Sequence, residues 1–145
     1  MQVEDIISRL IAQVSEFEGR VEGSAELAAL VKTGRAPNRT PAAFVLPLGI
    51  VAQPADTVTG LYRQGFTESF GIVIVQTIAN DKNGRKGLSK IHTLRDAVIA
   101  NLAGWRVPGG FDVLALTRAK LQSLNAGTIT YQVDFSTKDQ LRILT

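Results

Sequence analysis

Between Thr128 and Phe135 the apolar residues Ile129, Tyr131, Val133 and Phe135 alternate strictly with Thr128, Thr130, Gln132 and Asp134. Side chains of a strand repeat every two residues, so this segment predicts a strand with one dry face and one wet face. A chain holding such a strand must build a sheet and cover the dry side. Just upstream, Asn125-Ala126-Gly127 offers residues tolerant of positive φ. It separates the strand from a run whose apolar members are Leu121 and Leu124, which predicts a closing β-hairpin.

From the N-terminus, Val3, Ile6, Ile7, Leu10, Ile11, Val14 and Phe17 recur at spacings of three and four, the stripe of an amphipathic helix that should end by Gly19. A short second helix is expected from Ser24, a good N-cap residue, through Val31, with Gly34 just past its end. Pro37 and Pro41 bracket a polar connector. Ala42 to Leu48 reads as a strand, and Pro47, which cannot donate to a ladder, places it at an edge or at the strand's end.

Gly49 to Gly65 is the least regular part of the chain and is a candidate contact arm, because long loops in small domains are generally functional. The alternative is that Val58 to Tyr62 begins the next strand. Phe66 to Thr77 follows, with Gly71 to Val75 nearly free of polar surface, as in a strand covered on both faces. Asn80 to Lys90 reads as a basic, glycine-bearing loop. Ile91, Leu94, Val98 and Leu102 form another helical stripe, with Ser89 as its N-cap and Gly104 as its terminator.

The expected fold class is therefore α+β, a mainly antiparallel sheet of about four strands with helices packed on one face, in the order α-α-β-β-α-β-β. At 145 residues and 45% hydrophobic content the chain is expected to form a single domain, 1–145. Cysteine is absent, which removes disulfides, thiolate nucleophiles and cysteine metal clusters, and His92 is the only histidine. No apolar run reaches membrane-spanning length and the first residues are acidic rather than basic, so the reading is a soluble, unexported protein with no membrane partner. The net charge of +3 is unevenly spread: residues 1–30 hold six acidic and two basic side chains, whereas residues 31–90 hold eight basic and three acidic. Such polarity suits stacking of copies or an acidic partner.

The chemistry of an active site is not found. Gly84-Arg85-Lys86-Gly87-Leu88-Ser89 has glycines, a lysine and a serine, but Lys86 precedes the second glycine and the phosphate-loop pattern fails. Lys82, Arg85, Lys86 and Lys90 read first as solvated loop charges, and they are still candidates for contact with DNA backbone. His92 and Asp96 stand four apart on one helical face, an arrangement read as a surface pair rather than a catalytic one. Asp81 and Asn83 resemble the start of a calcium loop without its closing glutamate. Trp105, Phe111, Tyr131 and Phe135 are expected in the core. No enzyme activity, metal or cofactor is expected.

Three features in sequence order carry a resemblance: the N-terminal amphipathic helix; the run Pro41-Ala42-Ala43-Phe44-Val45-Leu46-Pro47-Leu48 with its loop and following strand; and the Trp105–Pro108 turn leading to a hairpin that ends Tyr131-Gln132-Val133-Asp134-Phe135-Ser136-Thr137, then Leu141-Arg142. In these the chain resembles the tail terminator, or tail completion, proteins of long-tailed bacteriophages. The resemblance implies an α+β protomer that forms a hexameric ring on the head-proximal end of the tail tube, assembled in the host cytoplasm and resident in the virion. Its partners would be the tail tube protein and the neck or head-completion protein, with DNA passing through the lumen without specific binding. It also implies an acidic lumen lining, for which the N-terminal helix or the faces bearing Asp112 and Asp134 are candidates. The rival readings are a small basic nucleic-acid-binding module and, behind it, a hydrolase using His92 and Asp96.

Overall fold

A computed structural model describes residues 2–58, 60–78, 85–125 and 127–144. The element order is α1 (Gln2–Gln13), a single 3₁₀ turn (Ser15–Phe17), β1 (Val21–Glu22), α2 (Ser24–Thr33), β2 (Ala42–Ala52), β3 (Asp56–Val58), β4 (Leu61–Thr77), α3 (Arg85–Leu102), β5 (Ala115–Asn125) and β6 (Thr128–Leu144). The strands form one sheet in the order β1-β2-β4-β6-β5, and β3 pairs with β4 beside the end of β2.

The class is α+β, but two details of the expectation are corrected. The sheet is mixed and larger than four strands, because β1 pairs parallel with β2 through Val21↔Ala43 and Glu22↔Phe44. A strand of two residues is too short to show a period in sequence. The helices also occupy both faces. α1 and α3 cover one face, where Ile6, Leu10, Ile91, Leu94 and Val98 meet Ala43, Val45, Ile72, Ile74, Ile129 and Val133. α2 covers part of the other, where Leu27 and Leu30 pack on Ala42, Phe44, Val73 and Val75. This accounts for the unbroken apolar runs in β2 and β4, since alternate side chains go to opposite faces and both faces are dry there.

β4 and β6 are the axis of the molecule. Each runs 17 residues, and they pair from Leu61↔Leu144 to Thr77↔Thr128 without a register shift. The predicted hairpin is present, with β5 and β6 paired at Asn125↔Thr128 and Gly127 at a φ of 79°. β2 bulges between Pro47 and Gly49, where the extra residue is Leu48. Beyond its short pairing with β1, β2 has β4 alone as neighbour, so Pro47 sits on an edge as its missing N–H requires. Gly34, at φ 67°, closes α2 by donating to the Leu30 and Val31 carbonyls. Ser24 is the first residue of α2 rather than its cap; the cap position is Gly23.

The expected loop from Asn80 to Lys90 is helix over its second half, since α3 starts at Arg85 and Ser89 lies inside it. Gly87 is buried at the start of α3, and a side-chain carbon there would overlap Ile78 and come within 3.1 Å of Ile129 Cδ1. The glycine lets the helix backbone approach the sheet, which explains a residue that looked like loop.

Candidate assembly surfaces

The sheet outruns its helices. Up to Phe70 and Phe135 the strands are buried between α-helical layers; past those residues β2, β3, β4 and β6 continue as an arm. Nine residues of β4, Leu61 to Ser69, give the arm a length of about 30 Å. The segment Gly49 to Gly65, expected to be irregular, is thus mostly the β2 end, β3 and the start of β4; of the alternative reading, in which Val58 to Tyr62 begins the next strand, Leu61 and Tyr62 do begin β4, whereas Val58 ends β3. Turn residues, Pro54 and short strands had obscured the pattern.

The arm exposes large apolar side chains to solvent. Ile50, Val51, Leu141, Ile143 and Leu144 are exposed, the last at 85%. A narrow sheet that leaves such apolar side chains in water gains by being covered.

Charge on the arm is sorted by face. Even-numbered residues of β4 and odd-numbered residues of β6 share the helix side, as Ile72, Ile74, Val133 and Phe135 show by packing under α1 and α3. Carried along the register, that side bears Glu68 and Asp139 with no cation between Tyr62 and Glu68 or between Thr137 and Ile143. The opposite side bears Arg63, Lys138 and Arg142, and Arg63 stands directly across from Arg142. Asp56 binds Arg63 at 2.9 Å, and Arg142 Nε donates to Gln140 at 2.7 Å. Partial burial and the neighbouring Asp139 charge push the Glu68 carboxyl above its ordinary value.

Away from the arm, a groove of about 560 Å³ runs between α2 and the sheet, lined by Leu27, Leu30, Val31, Leu46, Val73 and Val75. β5 is an edge strand and exposes Leu116, Leu121 and Leu124. Neighbouring it, Asp134 is only 7% exposed and accepts from Gln132 Nε2 at 2.8 Å, with Arg118 at 3.5 Å. A carboxylate so enclosed does not present itself to a lumen, so Asp134 is withdrawn as a lining candidate.

Arg85, Lys86 and Lys90 are exposed on the first turns of α3, and Lys82 lies outside the described residues, as do Asp81 and Asn83. No acidic residue sits in that first turn, so the cations add to the positive end of the helix dipole. His92 lies edge-on to Tyr131, and Asp96 accepts from Arg95 at 3.0 Å. Tyr131 and Phe135 are in the core, and Trp105 is partly buried with Arg9 stacked 4.6 Å above its ring. Phe111 departs from the expectation and is exposed, next to Phe66 and Asp139 at the root of the arm. Among the described residues no group of three or more His, Cys, Asp or Glu could hold a metal ion, and no helix is long and apolar enough to cross a membrane.

A protein-family model described as "Phage tail terminator protein" matches residues 1–145, the whole chain. The chain belongs to the phage tail terminator family. That family is structural, is not known as enzymatic and has a role in the phage tail, so this chain is a component of the virion tail. A search of curated proteins found no match. In a component of the tail the exposed arm, the α2 groove and the open β5 edge are candidate surfaces for assembly.

Proposed function

We propose that the chain, acting as one domain, closes with copies of itself into a hexameric ring that caps the head-proximal end of the tail tube. The ring ends tube polymerisation and offers the neck protein a docking surface; DNA passes through its lumen without specific binding. Assembly takes place in the host cytoplasm. The observation that carries this reading is the family match over residues 1–145. It is supported by an arm whose apolar side chains are open to solvent in the isolated protomer, since heterologous contacts that close give a ring.

Arg85, Lys86 and Lys90, together with Lys82, are proposed to contact the neck protein or a neighbouring subunit. Arg85 and Lys86 stand in the first turn of α3 with no acidic residue in that turn, where positive charge is unfavourable to the helix dipole, and an anionic partner relieves that cost. The test is addition of the purified protein to growing tail tubes. Wild type should arrest growth, and Arg85→Glu with Lys86→Glu should fail to join the neck or, where the cations meet a neighbouring subunit, fail to arrest growth. Undiminished tube growth in the presence of wild-type protein rejects the capping role.

A further inference from the structure

We infer that the arm is a self-complementary element: the face bearing Arg63, Lys138 and Arg142 in one copy lies on the face bearing Glu68 and Asp139 in the next. This rests on the ring reading and specifies which surfaces make the ring.

The first argument is coverage. Apolar residues are exposed on both sides of the arm, with Ile50, Leu141 and Ile143 on the helix side and Val51 and Leu144 on the other. A two-fold dimer would use one patch against itself and leave the other side wet. A head-to-tail arrangement covers both sides of every arm, much as blades stack around a propeller axis.

The second argument is charge. Joining like faces would bring Glu68 and Asp139 against their own copies, or Arg63 and Arg142 against theirs, and like charges brought together without a counter-charge are unfavourable. Joining unlike faces pairs them. Within one copy, no strand register puts a cation across from Glu68 or Asp139: their partners are Thr137 with Ile50, and Phe66. Arg63 and Arg142 oppose each other, and Asp56 is the one carboxylate paired with them among the described residues. The anionic face therefore lacks a cation across its strands, and the opposite face holds more cations than Asp56 can pair. Sheets stacked face to face lie about 10 Å apart, a gap that long Arg, Lys and Glu side chains close.

The experiment uses two charge-reversed full-length proteins. One carries Glu68→Lys and Asp139→Lys; the other carries Arg63→Glu and Arg142→Glu. Sedimentation velocity and native mass spectrometry, with tail-tube ends present as a template, give the assembled mass, and circular dichroism confirms that each variant folds. Each variant alone should stay monomeric where wild type assembles, because its two faces now carry net charge of the same sign, the Lys138 retained in the second variant being outnumbered by the two introduced carboxylates and Asp56. An equimolar mixture should recover assemblies of wild-type mass containing both proteins in alternation. Assembly of either variant alone, or a mixture that stays monomeric, overturns the arm contact. In both of those outcomes wild type still assembles, so the ring reading survives. Wild type that assembles at no concentration, with or without tube ends, removes both. Should a reversal fail to fold, the neutral pairs Glu68→Gln with Asp139→Asn, and Arg63→Gln with Arg142→Gln, replace it. Each should raise the concentration needed for assembly about tenfold or more, and an unchanged concentration overturns the contact.

Discussion

Truncation of Ile72 and of Leu144 to alanine removes three carbons in each case, one from the middle and one from the end of the β4–β6 pair, with very different expected costs. Ile72 is 0% exposed, in the middle of β4 beneath the helices. At about 0.8 kcal/mol per buried carbon the transfer loss is about 2.4 kcal/mol, and the cavity left in a sheet pinned by α1 and α3 raises it to roughly 3–4 kcal/mol. Leu144 is 85% exposed, so only about 15% of the same area leaves water on folding and the loss is about 0.4 kcal/mol. For a chain of this size each kcal/mol moves the melting temperature by about 3 °C, giving shifts of roughly 10 °C and 1 °C. The assay is thermal melting by circular dichroism at a concentration where the protein is monomeric, because assembly would stabilise the folded state by mass action. At higher concentration the order should invert for self-association, with Leu144→Ala impaired and Ile72→Ala assembling normally below its melting temperature. Equal melting shifts for the two variants would refute the division into a packed body and an uncovered arm.

Glu68 gives a pH dependence with a definite sign. Its folded-state carboxyl lies above the ordinary value of 4.5, so the folded protein holds a proton that the unfolded chain releases, and stability falls as pH rises from 4.5 through the raised value. Glu68→Gln should abolish that loss and be the more stable protein at neutral pH; an identical stability profile for the two proteins rejects the assignment. Asp134→Ala should cost about 1–3 kcal/mol in denaturant unfolding, because Gln132 and Arg118 lose their acceptor at a nearly closed site. Gly34→Ala should cost about 1 kcal/mol, since the α2 cap requires φ of 67°. A cost near zero for Gly34→Ala would mean that α2 ends in some other way.

The strongly periodic parts of the fold were legible in the sequence: the α1 stripe, the α3 stripe, the Thr128–Phe135 strand and the turn at Gly127. The remainder was hidden for physical reasons. β6 continues nine residues past Phe135, but Asp139 falls on the parity that had been apolar, so the alternation stops where the strand leaves the core. β1 is too short to have a period. Residues Arg85–Lys90 carry the composition of a loop because the first turns of α3 are exposed and Gly87 is needed for close approach to Ile78. Leu27 and Leu30 show that α2 has an apolar side, but nothing local says which face of the sheet receives it. The arm was visible only as an irregular stretch, since its strands lack the buried face from which alternation is read. Family membership was legible from loose apolar patterns spread along most of the chain, whereas the sorting of Arg63, Lys138 and Arg142 against Glu68 and Asp139 appears only once the β4–β6 register is known.

The most direct test of the capping role is electron microscopy of tail tubes incubated with the purified protein and then supplied with fresh tube subunits. The account predicts a closed ring at one end of each tube and no further growth from that end. Tubes with two bare ends that lengthen at the rate of untreated controls would contradict it.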